Sequence, residues 1–454
     1  MENKNKYWKG LEELNNDPKF LQNKKNEFAE GIPLEEVLTE QDGELTSNRR
    51  DFLKYFGFGV SAVALAACNK APVKNVIPYI VKPENITPGI PNFYATTTDT
   101  GVSILVKTRE GRPIKIEGNT ESPLFKGGVG AVEHASLLGL YDNDRFKTAM
   151  VSGTETDWNS IDNKISADLA KAKNIRIVSG TVNSPSTKKA IAEFAAKYPG
   201  TKHVTFEAVS NSAIIQATQQ SFGKAVMPGY RFDKAKVIVS FGADFLGSWI
   251  SPVEYSKQWV INRKINPERP EMSRHIQFET NLSVTGACAD VRFPIKPSAE
   301  GVLLVSLYNQ VAKLAGAAAL SGLPNMELPL NSVEITAKEL WNAKGNSIVV
   351  SGSNSLEHQL LVNGINSLLG NIGTTVDLDN YSNMKWSNDA EFEAFVTEMN
   401  NGGVDAVIFY NTNPLYNYYN PKRFADGLKK VATTISTSRS ADETSALCKY
   451  NTPD

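Results

Sequence analysis

The sequence predicts an α/β protein with mainly parallel sheets and flanking helices, preceded by a small β-rich segment. Three observations carry this. From Trp158 onward, short apolar runs alternate with segments of helical period, the pattern of βαβ units. Between positions 93 and 117, two β-rich runs flank a four-residue turn. The 454 residues are 41% hydrophobic and 21% charged, a globular composition long enough for about three domains.

Taken in order, residues 1–67 form a largely polar leader that ends in an apolar stretch. Residues 68–92 carry Pro72, Pro78, Pro83, Pro88 and Pro91 and predict an extended tether, since proline blocks helix and sheet interiors. Residues 93–150 are the β-rich segment. In it Ser103-Ile104-Leu105-Val106-Lys107 and Pro113-Ile114-Lys115-Ile116-Glu117 flank Arg109-Glu110-Gly111-Arg112.

Residues 151–320 predict one α/β unit. Ile161, Ile165, Leu169 and Ala172 share a helical face, and 175–180 is an apolar strand. Ser184-Pro185 reads as an N-cap followed by proline at the first helical position, and Ala190, Ile191, Phe194, Ala195 and Tyr198 give that helix its apolar face. A strand at 236–241 ends at Gly242, and 302–314 is helical. Residues 321–454 predict a second, truncated α/β unit with strands at 347–352, 405–411 and 431–436. The boundary is expected in the gap between Ala319 and Glu334.

Composition excludes several functions. Forty-eight basic against 49 acidic residues leave no surplus to neutralise phosphates, so nucleic acid is not an expected partner. Cys68, Cys288 and Cys448 are too few and too far apart for an iron–sulfur cluster, which usually takes four thiolates. His134, His203, His275 and His358 lack the local spacing of a zinc or haem site.

The leader carries three ordered signals. Arg49 and Arg50, followed by Phe52, Leu53 and Lys54, resemble a twin-arginine export signal, with Asn48 where Ser or Thr is usual. Thirteen mostly small or apolar residues follow, short of the ~18 that span a bilayer. Leu65-Ala66-Ala67-Cys68 then resembles a bacterial lipoprotein box, in which the Cys68 thiol takes the lipid. The expected location is the periplasmic face of the bacterial inner membrane. One acyl chain anchors only marginally, so durable attachment needs more chains or a partner complex.

Several segments of the body resemble the molybdopterin oxidoreductases. They are Gly118-Asn119-Thr120-Glu121-Ser122-Pro123 with Leu140-Tyr141-Asp142-Asn143-Asp144-Arg145, then the run from Val237 to Phe245, then Thr285-Gly286-Ala287-Cys288-Ala289-Asp290 with Pro294-Ile295-Lys296-Pro297. Tyr410-Asn411-Thr412-Asn413-Pro414 and Asp442-Glu443-Thr444-Ser445-Ala446 fit the later half. The lipoprotein box, the long leader and the run from Phe241 to Trp249 narrow the resemblance to the iron–sulfur and molybdopterin-like subunit of bacterial alternative complex III. That resemblance implies a molybdopterin-type fold without molybdenum and a membrane-bound quinol oxidoreductase of the respiratory chain. It implies partner subunits with multihaem cytochrome c and quinol-binding membrane helices. It also implies iron–sulfur clusters in a C-terminal part beyond residue 454, with no cofactor, metal or catalytic residue in the visible segment.

The family's molybdenum ligand would fall at residues 203–210, where no cysteine stands. Ser210 or Ser212 could serve, or could start a helix. Where active relatives place a cluster cysteine, this chain has Gly127-Gly128-Val129-Gly130, which reads as a turn. Asp244 could contact a nucleotide or cap a helix. Cys288 and Cys448 are expected to be buried small hydrophobes, His134 to pack against or cap a helix, and Asp442-Glu443 to start one. Phe245, Leu246 and Trp249 are expected to fill the old cofactor loop. Two rival readings are an active molybdopterin oxidoreductase and a periplasmic lipoprotein that captures a small ligand.

Overall fold

The computed structural model describes residues 86–454, apart from 88, 266, 269 and 323–329. Arg49, Arg50, Phe52, Leu53, Lys54, Cys68 and most of the tether lie outside the described residues.

The β-rich segment is an antiparallel three-stranded sheet of β1 (Asn92–Thr97), β2 (Ser103–Arg109) and β3 (Arg112–Gly118). Glu110 and Gly111 close the hairpin with φ of 52° and 75°, the left-handed pair that a two-residue turn between twisted strands requires. Val102, Ile104, Ile116 and Phe125 form its small core. The short helix α1 (Ala131–Ser136) follows.

The body is built on two large sheets. The seven-stranded sheet comprises β4 (Ala149–Val151), β5 (Thr154–Thr156), β6 (Ile175–Ser179), β7 (Thr201–Thr205), β14 (Ala406–Tyr410), β15 (Thr433–Ser436) and β16 (Tyr450–Asn451), in the order β5-β4-β16-β15-β14-β6-β7. Its β16-to-β7 portion is parallel. The four-stranded sheet is wholly parallel, in the order β11-β10-β9-β12, from β9 (Val237–Phe241), β10 (Arg274–Glu279), β11 (Val291–Pro294) and β12 (Ser347–Ser351). β8 (Met227–Tyr230) and β13 (Val376–Ser382) form an antiparallel pair.

Helices connect the strands. They are α2 (Trp158–Leu169), α3 (Pro185–Lys197), α4 (Ser212–Phe222), α5 (Pro252–Ile261), α6 (Val284–Ala287), α7 (Glu300–Ala315), α8 (Leu330–Asn342), α9 (Leu356–Leu368), α10 (Asp389–Asn400), α11 (Pro414–Asn417) and α12 (Pro421–Leu428). Capping follows the sequence: Asp157 accepts the Ser160 amide, and Ser184 accepts the Thr187 amide with Pro185 at the first helical position. β6, β9 and β12 are buried along their whole length, as strands covered on both faces must be. Val239, Phe241, Phe278, Leu303, Leu307 and Val349 centre one core; Val178, Val407, Phe409, Phe392 and Phe424 centre the other.

The division expected at 320/321 does not separate the two sheets. β12 pairs with β9, and β14 pairs with β6, so each large sheet draws strands from both sides of that point. Short apolar runs are alike in composition, and parallel partners are joined by long crossovers that leave no trace of pairing in the local sequence.

The parallel strands of each sheet end in a set of loops. In open α/β sheets, this carboxyl-end rim is where ligands bind. Among the described residues, no helix is long and apolar enough to cross a membrane.

Candidate functional site

At the rim of the four-stranded sheet, β9 ends at Gly242, whose φ of +59° turns the chain into the loop 243–251. Asp244 organises that loop. Its backbone carbonyl accepts the amides of Gly247, Ser248 and Trp249. Its Oδ1 accepts the Thr285 amide at 3.0 Å and the Thr285 hydroxyl at 2.7 Å, while Thr285 Oγ1 accepts the Leu246 amide. Ser283 caps α6, and Asp244 supports its first turn by accepting from Thr285, 41 positions away, rather than capping the helix that follows it. Gly247 makes this possible: a Cβ there would stand 2.1 Å from Asp244 Oδ2.

The loop is filled with aromatic packing. Phe245 is 0% exposed and stacks on Phe232 with ring centroids 4.3 Å apart. Trp249, 7% exposed, lies 5.0 Å from the ring of Tyr230 and 5.9 Å from that of Tyr255. Leu246 packs at the margin of the same cluster.

β10 brings a polar ladder to this rim. His275 Nε2 and Gln277 Oε1 are 3.3 Å apart, and Gln277 Nε2 donates to Glu279 Oε2 at 3.2 Å. Glu279 also accepts the Ser283 hydroxyl and the Arg292 guanidinium. Burial depresses the His275 imidazole to about 4. Beneath the loop, burial pushes Glu254 up to about 7, with Gln258 Nε2 donating to its carboxyl.

The rim of the seven-stranded sheet is different. Glu207 accepts the Thr181 amide and hydroxyl, at 2.8 and 2.6 Å, and an ion pair from Lys385. Two cavities of about 430 and 490 Å³ adjoin here and share Thr205 and Trp386. His203, Lys188 and Tyr381 line the first; Gln216, Gln219 and Glu391 line the second. His203 Nε2 lies 2.7 Å from Ser179 Oγ, and burial lowers its pKa.

The segment expected to hold a metal ligand begins at the walls of these cavities, with His203 and Thr205, and leads into α4. Ser210 Oγ accepts the Ser212 amide at 3.1 Å and lies 3.0 Å from Ser387 Oγ. Ser212 is the buried first residue of α4. The Ser210 hydroxyl is thus engaged in the fold at the start of α4. Among the described residues, no group of three or more His, Cys, Asp and Glu could hold a metal ion.

The glycines at 127–130 serve the backbone. Gly127 has φ +76°, and a Cβ on Gly118 would collide with the Gly127 carbonyl. His134 neither packs nor caps: it is exposed, and Glu133 reaches back to the Gly130 amide at 2.9 Å. Cys288 is exposed, against expectation, because α6 is one surface turn; Cys448 is buried, which pushes its thiol up to about 12. Asp442 Oδ1 accepts the Ser445 amide, the helix-start role expected, and Glu443 accepts from Asn413. Sequence reasoning missed Glu254 and the His275–Gln277–Glu279 ladder. The ladder had a signal: polar residues at every second position of a strand.

The fold is that of a molybdopterin oxidoreductase. One solved likeness is acetylene hydratase from Pelobacter acetylenicus, with a TM-score of 0.52 at 10% identity, covering 79% of this chain and 60% of that one. In fold and sequence the chain is similar to molybdopterin-binding-like and molybdopterin-containing subunits. In sequence it is 21% identical, over 89% of its length, to the menaquinone reductase molybdopterin-binding-like subunit of Nitratidesulfovibrio vulgaris. It is 23% identical, over 48% of its length, to the molybdopterin-containing subunit of arsenate respiratory reductase from Shewanella sp. strain ANA-3. It spans 65% of the first relative and 27% of the second. No protein-family profile matches the sequence.

Proposed function

We propose that the chain is a subunit of a membrane-bound quinol oxidoreductase of the respiratory chain, of the alternative complex III type. In this reading it is a molybdopterin-like scaffold without molybdenum, docked to multihaem cytochrome c and quinol-binding membrane subunits. It is exported through the Arg49-Arg50 signal and anchored by lipid on Cys68 at the periplasmic face. Iron–sulfur clusters belong to sequence beyond residue 454. The observation that carries the reading is the engagement of the Ser210 and Asp244 side chains in structural hydrogen bonds, with Ser212 buried at the start of α4, in the segments where the family resemblance would place a cofactor. The extended match to a menaquinone reductase subunit supports the respiratory assignment.

The rival, an active molybdopterin oxidoreductase, draws on the shorter match to the arsenate reductase subunit. Mass spectrometry and elemental analysis of the purified native complex separate the two. We expect haem-bearing and membrane partners, acyl chains on Cys68, and no molybdenum, tungsten or extractable pterin from this domain. Near-stoichiometric molybdenum would promote the rival. A lone monomer after detergent extraction would favour a ligand-capturing lipoprotein.

A further inference from the structure

The two cavities of the open rim lie where β6 and β7 end, the place at which parallel sheets take ligands. At about 490 and 430 Å³, each falls in the ~300–1,000 Å³ range of small-ligand sites. Their walls have an unusual chemistry. One wall of the larger cavity is α4. Ser212, Gln216, Gln219 and Gln220 share one face of that helix by their spacing, and all four line the cavity. Ser212 is 4% exposed, yet its hydroxyl makes no hydrogen bond with a described residue. A buried hydroxyl without a partner is destabilising, and this one is open to the cavity it lines. The side-chain amides of Gln216, Gln219 and Gln220 are likewise unpaired among the described residues.

Trp386 is common to both cavities. Its indole N–H is taken by the Ser382 carbonyl at 2.7 Å, so it offers a ligand a ring face and no donor. The ring packs against the core of Ile238, Phe245 and Trp249, which holds it in place. Charge on the walls is balanced. Lys188 lines the smaller cavity and Glu391 the larger, and the nearby Glu207 and Lys385 neutralise each other. Burial lowers the pKa of His203 and keeps its imidazole neutral near pH 7. A phosphate-bearing ligand would find no surplus of cations here.

We propose that the open rim binds a neutral mono- or disaccharide, with a ring face on Trp386 and hydroxyls paired with Ser212 and the glutamines of α4. The match is one of functional groups. A sugar hydroxyl both donates and accepts, and so do a primary amide and a serine hydroxyl. The C–H face of a pyranose is apolar and suits the electron-rich face of an indole. The proposal does not depend on the subunit reading, and either can fail without the other.

Isothermal titration of the purified full chain tests it. The probes are glucose, galactose, N-acetylglucosamine, maltose, cellobiose and trehalose, with GDP and glutamate as charged comparators. At least one of the six sugars should bind with a Kd on the order of 1 mM or tighter, and more tightly than either comparator. Gln216→Ala and Gln219→Ala remove exposed side chains, and each should weaken that sugar on the order of tenfold with Tm unchanged. Lys188→Ala should leave its affinity within about twofold, since no anion is being recognised. Absence of binding by all six sugars at tens of millimolar would overturn the proposal. Tighter binding of GDP or glutamate, or loss of the sugar in Lys188→Ala, would overturn the neutral class of ligand. Sugar binding that neither glutamine variant weakens would place it elsewhere on the molecule and overturn the site.

Discussion

The two carboxyl-end rims begin from the same architecture and finish differently. At the four-stranded sheet, the loop after β9 is packed shut by Phe245 and Trp249, and its one acidic side chain, Asp244, is spent on Thr285. At the seven-stranded sheet, the loops after β6 and β7 leave two adjoining cavities lined by His203, Lys188, Tyr381 and glutamines. A parallel sheet supplies the crevice; the side chains that follow each strand decide whether it stays open. Fold alone therefore does not carry function here.

The largest effect should come from reopening the closed rim. Phe245 is fully buried, stacked on Phe232 and packed over His275, with centroids 5.3 Å apart. Phe245→Ala removes that contact area and leaves a cavity, and we expect a loss of about 3–5 kcal/mol in urea unfolding. Tyr381→Ala at the open rim, where the residue is 46% exposed, should cost far less. Equal losses at both positions would break the contrast.

A second test uses the two buried titratable groups of the closed rim. Burial raises Glu254 from its ordinary 4.5 to about 7. Between those values the folded state keeps a proton that the unfolded chain sheds, so stability falls as pH rises. Burial lowers His275 from 6.5 to about 4. Between those values the unfolded chain takes a proton that the folded state refuses, so stability falls as pH drops. Each effect amounts to about 3 kcal/mol over its full window, and between roughly pH 4.5 and 6.5 they oppose each other. The native chain should therefore show a shallow profile there. Glu254→Gln should unmask a clear rise in stability from pH 4 to 6.5 in denaturant titrations. A profile that stays flat would show that His275 does not carry the opposing slope.

The same contrast explains what was legible in the sequence. The hairpin around Glu110-Gly111, the Ser184-Pro185 helix start and the strands ending at Gly242 and Asn411 were readable, because turn chemistry and caps act over a few residues. The aromatic filling of the loop was also readable, since Phe245, Leu246 and Trp249 stand together in the chain. The partner of Asp244 was not. Thr285 lies 41 positions away, and only the pairing of β9 with β10 brings it near. Cys288 was misjudged for the same reason: its exposure depends on α6 being a single surface turn. The open rim was invisible, because a cavity is defined by residues from β7, α4 and the segment after β13 together.

Asp244→Ala offers a third, smaller measure. It removes the acceptor for the Thr285 amide and hydroxyl in a partly buried site, and we expect a loss of about 1–3 kcal/mol in thermal or urea unfolding. Asp244→Asn keeps an acceptor oxygen in the same place and should recover most of that stability. If Asp244→Ala leaves stability unchanged, the closure of this rim rests on the aromatic packing alone.

The smallest effect should come from Ser210, and it bears most directly on function. Its hydroxyl oxygen accepts the Ser212 amide at the start of α4 and faces the Ser387 hydroxyl. Both interactions are partly solvated and neutral, so Ser210→Ala should cost about 1 kcal/mol. Asn354 Oδ1 accepts the Ala213 amide at 3.0 Å and continues to hold the first turn of α4, which limits the loss. Were Ser210 instead the side chain that held a metal, its removal would change bound metal more than stability. Elemental analysis of the purified complex, compared for the native chain and Ser210→Ala, therefore tests the position independently of folding. Identical metal content with a slightly lower Tm places Ser210 in the scaffold. A loss of molybdenum or tungsten at unchanged Tm would make this open rim a metal site and invert the comparison between the two halves.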